Sequence, residues 1–342
     1  MVILHILNSR IYSGAEHVVC SIIKNLPKDC KCVYLSPKGN IQERLEKEGI
    51  EYYGVDKLSV KTVKRAMEEI KPDIIHAHDF RASVIAAEAA KREIKVISHL
   101  HCNPPWLKKV CINSLIYKHY AAYFQSILTV SDSVEKEYRY AEKIKDQIQV
   151  VGNPFSVKEV QEKISDKAKE EYDLLFVGRM TEEKNPLQFV EIFKSLKTEK
   201  RLNIKGAMIG AGELYETCKK RIRQYGLQEN LKMLGFQENP YKYMATSKVL
   251  CMPSKWEGFG LVALEAMCLG CPVVASSVGG LQDIVTEESG KKCQSHAEYV
   301  EETAKLLTDE IYYSTKSQGA RKRADSYDNL EEYIERLLSI YN

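Results

Sequence analysis

Two glutamates eight positions apart, Glu257 and Glu265, flank a glycine-rich turn that could bind an anion. An apolar run ending at Met252 predicts a strand before this turn, and a helix is predicted to begin near Gly260. The first N–H groups of a helix and its partial positive charge favour a phosphate, and Gly258 lets it approach the backbone. Carboxylates accept hydrogen bonds from neutral hydroxyls, so a sugar and a ribose would fit the two glutamates. The alternative is a surface helix with ordinary glutamates.

Two cations in an earlier loop could bind the same phosphate. The segment 173–177 predicts a strand that ends at Gly178, and Arg179 and Lys184 follow it. A diphosphate carries about two to three negative charges, which suits a forked guanidinium and an ammonium. The same cations would stabilise a diphosphate as it leaves. An isolated pair would be interpreted as solvated surface charge, but together with the glycine turn it predicts a diphosphate site.

Four histidines lie at the ends of two further strand candidates. His76 and His78, followed by Asp79, end one candidate, and His99 and His101 end the other. Such a group suggests a metal site as one hypothesis. Because His-x-His on one strand end is a weak chelate and no acidic cluster completes a site, we expect no metal and no other cofactor.

Strand-like segments alternate with helical patterns along the chain, which is typical of βαβ units on parallel sheets. Its 342 residues suit two domains. A charged segment, 157–171, divides the series, so we predict domains at 1–156 and 157–325 and a final amphipathic helix at 326–342. A ligand is expected in the cleft between these domains, where the strands end. The predicted strands are 2–7, 31–35, 73–77, 95–100, 127–130, 148–151, 173–177, 204–209, 231–234, 248–252 and 272–275.

These motifs together resemble the retaining glycosyltransferases of family 4, which have the GT-B fold. Glu257 through Glu265 match the family's E-x7-E signature, and further motifs occur in the family's order. The matching segments are Ser13–Glu16 (G-G-x-E, with Ser13 replacing the first glycine), Phe176–Met180 with Glu183–Asn185 (V-G-R…E-K-N), Ile209–Leu214 (G-x-G-x-L), and Gly270–Ala275 with Gly279-Gly280 (G-x-P-V-V-A…G-G).

The resemblance implies an α/β fold of two facing Rossmann-like domains, with the final helix packing back on the first domain. It implies transfer of a sugar from a nucleotide-sugar, expected to be a UDP-sugar, to an acceptor hydroxyl with retained anomeric configuration. The expected acceptor is a saccharide or lipid-linked saccharide in bacterial cell-surface polysaccharide or glycolipid biosynthesis.

The resemblance also implies residue roles. His101 aligns with the family's histidine near the reacting carbon, and His99 is the alternative. Arg179, Lys184 and Glu257 complete the expected catalytic set, while His99, His78 and Asp79 are acceptor-side candidates. The expected donor-binding residues are Gly14, Arg179, Lys184, Gly210, Glu257, Gly258, Phe259, Gly260, Leu261 and Glu265.

Composition excludes several other classes. A net charge of +3 gives no argument for nucleic-acid binding. No apolar run approaches the roughly 18 residues of a membrane span, and the short apolar N-terminus predicts a buried strand rather than a signal peptide. Ten scattered cysteines, including the Cys268/Cys271 pair interpreted as core packing, fit a reducing cytoplasm. We therefore expect a cytoplasmic protein.

One segment suggests contact with the inner face of the membrane. Residues 94–131 contain no Asp or Glu but several lysines, and a helical stretch rich in Tyr, Ile and Lys follows Pro104-Pro105. Residues 104–125 could rest on an anionic lipid surface. The alternative is that Trp106, Leu115, Ile116 and Tyr120 belong to the core.

Two other functions are open alternatives. A GT-B sugar-nucleotide epimerase would need no acceptor, and a non-catalytic nucleotide-binding protein would need no reaction. A Rossmann dehydrogenase should show G-x-G-x-x-G after the first strand, whereas this chain has residues 8–14 with a single glycine, Gly14.

Overall fold

The computed structural model describes residues 1–164 and 170–342, apart from the side chain of Val134. The chain divides into two compact units. The first comprises Met1–Pro154 and Asn329–Asn342, and the second comprises Phe155–Asp328. The predicted linker, 157–171, includes residues 165–169, which lie outside the described residues.

The first unit contains a parallel sheet whose strands lie in the order β3-β2-β1-β4-β5-β6-β7. The strand order reverses beside β1, as in a Rossmann sheet, so the carboxyl ends of β1 and β4 open a crevice suited to a ligand. The strands are β1 (Val2–Ile6), β2 (Lys31–Pro37), β3 (Tyr52–Val55), β4 (Ile74–His78), β5 (Lys95–Leu100), β6 (Ser126–Thr129) and β7 (Ile148–Val150).

Helices alternate with these strands. They are α1 (Gly14–Asn25), α2 (Ile41–Lys47), α3 (Val60–Ile70), α4 (Asp79–Ala90), α5 (Ile112–Ala121) and α6 (Asp132–Glu137), with 3₁₀ turns at Pro105–Lys108, Ala141–Lys143 and Lys145–Gln147. The stretch after Pro104 therefore starts as a 3₁₀ turn and becomes an α-helix only at Ile112. Alanines of α4 pack on the sheet, where small side chains allow close approach.

The second unit contains a parallel sheet in the Rossmann order β10-β9-β8-β11-β12-β13. Its strands are β8 (Tyr172–Val177), β9 (Gly206–Ile209), β10 (Leu231–Gly235), β11 (Ser247–Met252), β12 (Val273–Ser276) and β13 (Gly290–Cys293). Its helices are α7 (Val157–Glu162), α8 (Pro186–Thr198), α9 (Tyr215–Gln224), α10 (Tyr241–Met244), α11 (Leu261–Cys268), α12 (Leu281–Ile284), α13 (His296–Thr308) and α14 (Glu310–Asp325).

The final helix, α15 (Leu330–Tyr341), belongs to the first unit. Its apolar face, including Tyr333 and Leu337, is buried as the helical spacing predicts. The helix begins at Leu330 rather than at 326, because α14 ends at Asp325 and a short connection precedes Asn329. Among the described residues, no helix has both the length and the apolar character needed to cross a membrane.

The sequence patterns missed two strands, β3 and β13. β13 reads Gly-Lys-Lys-Cys and lies at the sheet edge, so its polar residues can face solvent and its pattern is not apolar. Strands covered by helices on both faces are normally apolar throughout. β1, β4 and β5 depart from this rule, because each carries at least one fully buried histidine.

Candidate active site

An ion pair in the second unit joins the two motifs that the sequence placed at a diphosphate site. The Lys184 ammonium lies 2.7 Å from Glu257 Oε1 and 2.6 Å from Glu257 Oε2. It also lies 3.2 Å from Glu183 Oε1. Burial alone would lower the pKa of Lys184, but the Glu257 and Glu183 carboxylates raise it above its ordinary value. Lys184 is therefore a fixed cation.

Backbone contacts hold the two loops together. Lys255 N–H donates to the Glu183 carbonyl at 2.8 Å, and the Lys255 ammonium pairs with Glu182 at 2.9 Å. Gly279 has φ of +51°, and a side chain there would lie 1.6 Å from the Glu257 carbonyl oxygen. The loop after β12 therefore packs directly against the turn that carries Glu257, and only glycine fits.

Arg179 is held differently from Lys184. Its guanidinium pairs with Glu183 at 2.5 Å, and its side chain is 44% exposed. Glu183 thus bridges both cations. Because Glu183 is only 14% exposed, solvent screens this ion pair less than a fully exposed one, and a diphosphate would have to draw Arg179 away from it.

The glycine turn leads into α11 as predicted. Gly260 precedes the helix with φ of +108°, a conformation that favours glycine. Gly258 and Phe259 are buried before it, while Leu261, the first helical residue, is partly exposed. The first N–H groups of any helix lack intrahelical partners. This end of α11 could therefore accept an anion.

Glu265 lies one turn further along α11 and is buried. Its Oε1 accepts a hydrogen bond from the Tyr241 hydroxyl at 3.0 Å. Burial raises the pKa of Glu265, and the Tyr241 hydrogen bond and nearby Lys163 act in the opposite direction. The two glutamates of the motif therefore differ: Glu257 is paired with a cation and Glu265 with a neutral hydroxyl.

Gly210 has a packing reason to be glycine. Its φ is +135°, and a side chain would lie 1.9 Å from the Gly178 carbonyl oxygen. Gly212, with φ of +153°, likewise lies against the Met180 backbone. The Gly-x-Gly turn therefore lets the loops after β8 and β9 pack together, whatever else it contacts.

Gly14, in the first unit, has no packing reason to be glycine, in contrast to Gly210. It is the first residue of α1, and a side chain added there would meet nothing within 4 Å. Ser13 precedes it, and the Glu16 carboxylate accepts hydrogen bonds from Ser13 N at 3.0 Å and Ser13 Oγ at 2.5 Å. Glu16 thus caps the helix, and the space beside Gly14 is open.

The histidines of the first unit form a cluster of five rather than four. The strand register places His5 of β1 opposite His76 and places His78 opposite His99. Ring nitrogens pair across the strands: His5 Nδ1 with His78 Nε2 at 3.1 Å, His76 Nε2 with His99 Nδ1 at 3.2 Å, and His78 Nδ1 with His101 Nε2 at 2.8 Å. Tyr341 of α15 adds a contact, with its hydroxyl 2.8 Å from His76 Nδ1.

Burial makes all five rings neutral. It lowers the pKa of His5 to about 3 and that of His101 to about 4, and it lowers the pKa of His76, His78 and His99 well below the ordinary value. Because these rings are uncharged, none of them can neutralise a phosphate.

His99 and His101 have different surroundings. His99 is fully buried within β5, whereas His101 follows the strand and is partly exposed. Asp79, with φ of +66°, accepts a hydrogen bond from His101 N–H at 3.0 Å and so fixes the loop. His78 contacts both histidines: its ring lies 5.5 Å from that of His99 at a tilted angle, and its Nδ1 pairs with His101 Nε2 at 2.8 Å. Of the two candidates, only His101 lies where a ligand could reach it.

The segment 104–125 divides between core and surface. Trp106 packs on Phe80 with ring centroids 4.7 Å apart, and Tyr120 donates a hydrogen bond to Glu88 at 2.8 Å. By contrast, Leu115 is exposed. Large apolar side chains are also exposed at Val110 and Ile112, and Lys108, Lys109 and Lys118 are exposed as well.

Four of the residues that complete these arrangements were not predicted site residues: His5, Glu183, Tyr241 and Tyr341. His5 lies in an apolar strand and was interpreted only as part of it. Glu183 belongs to the recognised E-K-N segment, so its motif was a usable signal. Tyr241 and Tyr341 are distant in sequence from Glu265 and His76, and no sequence pattern links them.

Two family models match the chain. The model described as glycosyl transferases group 1 matches residues 157–323, and the model described as glycosyltransferase family 4 matches residues 12–159. The chain belongs to this family of glycosyltransferases.

Relatives of known sequence are similar over part of their length. An uncharacterised glycosyltransferase of Methanocaldococcus jannaschii is 26% identical over 63% of this chain and 58% of its own length. The chain thus spans less than two thirds of that relative. N-acetyl-alpha-D-glucosaminyl L-malate synthase of Bacillus anthracis is 25% identical over 79% of this chain and 74% of its own. The Escherichia coli UDP-Gal:alpha-D-GlcNAc-diphosphoundecaprenol alpha-1,3-galactosyltransferase is 26% identical over 68% of this chain and 65% of its own length.

Solved structures share the fold. Anabaena HepE in complex with UDP-glucose superimposes with a TM-score of 0.85 at 20% identity, covering 99% of both chains. Staphylococcus aureus TarM superimposes with a TM-score of 0.79 at 12% identity, covering 100% of this chain and 98% of its own. The two sheets of parallel strands, together with these structural neighbours, confirm the predicted GT-B fold class.

Proposed function

We propose that this protein is a glycosyltransferase that moves a sugar from a nucleotide-sugar to an acceptor hydroxyl. The observation that carries the proposal is the Lys184–Glu257 ion pair beside the N-terminus of α11. Glu257 of this pair lies four positions before Leu261, the first residue of α11, and the first N–H groups of a helix generally lack intrahelical partners. A phosphate beside a hydroxyl-bearing group is the ligand that such a set fits.

The donor is proposed to lie along the second unit. Lys184, with Arg179 once released from Glu183, binds the diphosphate, and Gly258 through Leu261 supply its backbone contacts. Glu257 binds hydroxyls of the transferred sugar, and Glu265 binds the ribose. We propose UDP as the nucleoside diphosphate, since HepE was solved with UDP-glucose and the E. coli relative is named for UDP-Gal.

Retention is proposed to occur by front-face displacement. The bond from the anomeric carbon to the phosphate oxygen breaks, and the acceptor oxygen bonds to the same face. The acceptor proton passes to the departing phosphate. Lys184 and the α11 N-terminus stabilise the negative charge on the leaving diphosphate, so we propose that the reaction needs no metal ion.

We propose that His101 contacts the transferred sugar as a neutral hydrogen-bonding group. His99 is the less favoured candidate because it is fully buried. His78 and Asp79 position it. The remaining space beside Gly14 would admit the sugar or its phosphate, because nothing in the described residues fills it.

The acceptor is proposed to be a saccharide or lipid-linked saccharide of a bacterial cell surface. Val110, Ile112 and Leu115, with Lys108 and Lys109 near them, would rest on an anionic bilayer at the cytoplasmic face. Sedimentation with phosphatidylglycerol vesicles tests this contact. Replacing the three apolar residues by serine should release the protein, and equal binding of that variant would contradict the contact.

A panel of nucleotide-sugars tests the main proposal. One donor should raise the melting temperature and release nucleoside diphosphate slowly without acceptor, and Glu257→Gln should abolish release while nucleoside diphosphate still binds. If no nucleotide-sugar binds or is hydrolysed, the proposal is wrong. Conversion of the donor to its epimer would support the epimerase alternative, and binding without turnover would support the non-catalytic one.

A further inference from the structure

Glu183 lies in the loop between β8 and α8, and the donor binding proposed above gives it no task. One oxygen of its carboxylate lies 2.5 Å from the Arg179 guanidinium, and the other lies 3.2 Å from the Lys184 ammonium. Among the described residues, it is the only carboxylate that pairs with Arg179. One side chain therefore contacts both of the cations that are proposed to bind the diphosphate.

The four charged side chains of this site cancel one another. Arg179 and Lys184 are positive, while Glu183 and Glu257 are negative. A diphosphate carries about two to three negative charges, so a set of side chains that is neutral as a whole attracts it only weakly. If the Glu183 carboxylate turns away, one positive charge is left in excess and Arg179 can pair with the ligand.

The loop does not need this carboxylate for its shape. The backbone carbonyl of Glu183 accepts a hydrogen bond from Lys255 N–H at 2.8 Å. Lys184 is held by both oxygens of Glu257, at 2.7 Å and 2.6 Å. Neither contact uses the Glu183 carboxylate, so the backbone and the Lys184 ammonium keep their supports when that carboxylate moves.

The pair between Arg179 and Glu183 is built for exchange. Its hydrogen bond uses the single nitrogen Nη2 of Arg179, whereas the strongest guanidinium–carboxylate pairs use two parallel hydrogen bonds. The Arg179 side chain is also 44% exposed, so a ligand can approach it from the solvent side. A diphosphate offers several oxygens to the same guanidinium and can therefore replace one carboxylate oxygen by a bidentate contact.

We propose that Glu183 is an internal competitor of the diphosphate. Its carboxylate pairs with Arg179 and Lys184, yields to a ligand of higher negative charge, and takes the cations back as the nucleoside diphosphate leaves. Glu183 thereby weakens the binding of donor and product and speeds the release of product. The identity of the ligand as a sugar donor rests on the proposed function, but the competition for a diphosphate does not.

Calorimetric titration of the full-length protein with inorganic diphosphate and with UDP tests the competition. Glu183→Gln removes the negative charge and keeps the size of the side chain. It should lower the Kd of both ligands about tenfold, the equivalent of one hydrogen bond to a charged group. The dissociation rate of UDP, measured by surface plasmon resonance, should fall by a similar factor, because affinity differences between variants lie mostly in dissociation.

Glu182→Gln is the matched control. It makes the same change of charge one position earlier, in a carboxylate that pairs with the exposed Lys255. The Kd of both ligands should stay within about twofold of the wild-type value, because an exposed pair contributes little. An equal gain in affinity from Glu182→Gln would overturn the proposal in favour of a general effect of net charge.

A double-mutant cycle tests whether the competition is for Arg179. Arg179→Gln should weaken diphosphate binding, and adding Glu183→Gln to it should improve binding by only about threefold or less, because Lys184 alone remains to be released. A full tenfold gain in the Arg179→Gln background would overturn the role assigned to Arg179. Weaker or unchanged diphosphate binding by Glu183→Gln alone would show that Glu183 supports the cations and would overturn the proposal outright.

These measurements separate two failures. Tighter diphosphate binding by Glu183→Gln in a protein that transfers no sugar would uphold the competitor and refute the proposed function. Sugar transfer by the wild-type protein, together with weaker UDP binding by Glu183→Gln, would refute the competitor alone. Failure of both proteins to bind either ligand would refute the diphosphate site and the competitor with it.

Discussion

The two units hold their polar groups in opposite ways. In the second unit, Lys184 and Glu257 remain charged because they are paired, and their side chains keep 17% and 10% exposure. In the first unit, buried histidines have become neutral and pair with one another. The difference agrees with the proposed ligands: a charged pair could exchange partners with a diphosphate, whereas neutral rings could offer only hydrogen bonds.

The largest expected effect comes from removing the ammonium charge of Lys184 in the second unit. Lys184→Met should lower the transfer rate by about 100-fold or more, because it removes a cation from the leaving diphosphate and leaves Glu257 unpaired. Single-turnover kinetics at saturating donor measures this loss. Lys255→Met is the matched control, since its pair with Glu182 is exposed, and its rate should stay within about twofold. Similar losses in both variants would contradict the special role of Lys184.

Acid should damage the first unit selectively. His5 and His101 have folded pKa values of about 3 and about 4, below the unfolded value of 6.5. The unfolded state therefore binds more protons below pH 6.5. Stability is retained above that pH and falls as the pH decreases toward 4, by about 1.4 kcal/mol per pH unit for each histidine.

Urea unfolding at pH 7, 6 and 5 measures this loss. In a Trp256→Phe background, Trp106 fluorescence reports on the first unit, because the chain has two tryptophans. His5→Asn should lower the number of protons taken up on unfolding in acid by about one, and the slope of stability against pH should fall accordingly. Replacing the exposed His119 by Asn should leave it unchanged. A first unit equally stable at pH 7 and pH 5 would contradict the neutral state of the cluster.

Glycine substitutions should distinguish a glycine that leaves room for a ligand from one that is required by packing. Gly14→Ala adds a methyl group to open space in a helix, so the free energy of unfolding should be unchanged or raised by up to about 1 kcal/mol. If a ligand occupies that space, donor turnover falls about tenfold. Gly210→Ala collides with the Gly178 carbonyl and should lose about 2 kcal/mol or more of stability. Unchanged turnover in Gly14→Ala would exclude Gly14 from the site.

The smallest effect is expected at Glu265. Glu265→Gln should raise the donor KM about threefold to tenfold with little change in kcat, since a ribose contact is made before and during the reaction. Tyr241→Phe removes the hydrogen bond to Glu265 and should raise KM by less. Burial raises the pKa of Glu265, so donor affinity should fall with decreasing pH earlier than for an exposed carboxyl group. A change confined to kcat would place Glu265 elsewhere in the mechanism.

Much of the second unit could be predicted from local patterns. The strand before Gly178, the turn at Gly258 and the helix after Gly260 follow from short-range periodicity and glycine chemistry. For the same reason, the positions of Lys184 and Glu257 were predictable as parts of a phosphate site. Their direct pairing was not, because it depends on the packing of loops 73 positions apart.

The first unit shows the limit of such patterns. The sequence by itself determined two Rossmann-like sheets, because alternating apolar strands and amphipathic helices have few other ways to bury their apolar faces. It also placed four histidines at strand ends. Only the tertiary structure brought His5 and Tyr341 to them and separated His99 from His101. Long-range packing sets the strand register and the position of the final helix. The burial that results from this packing makes these histidines neutral and leaves only His101 among them partly exposed.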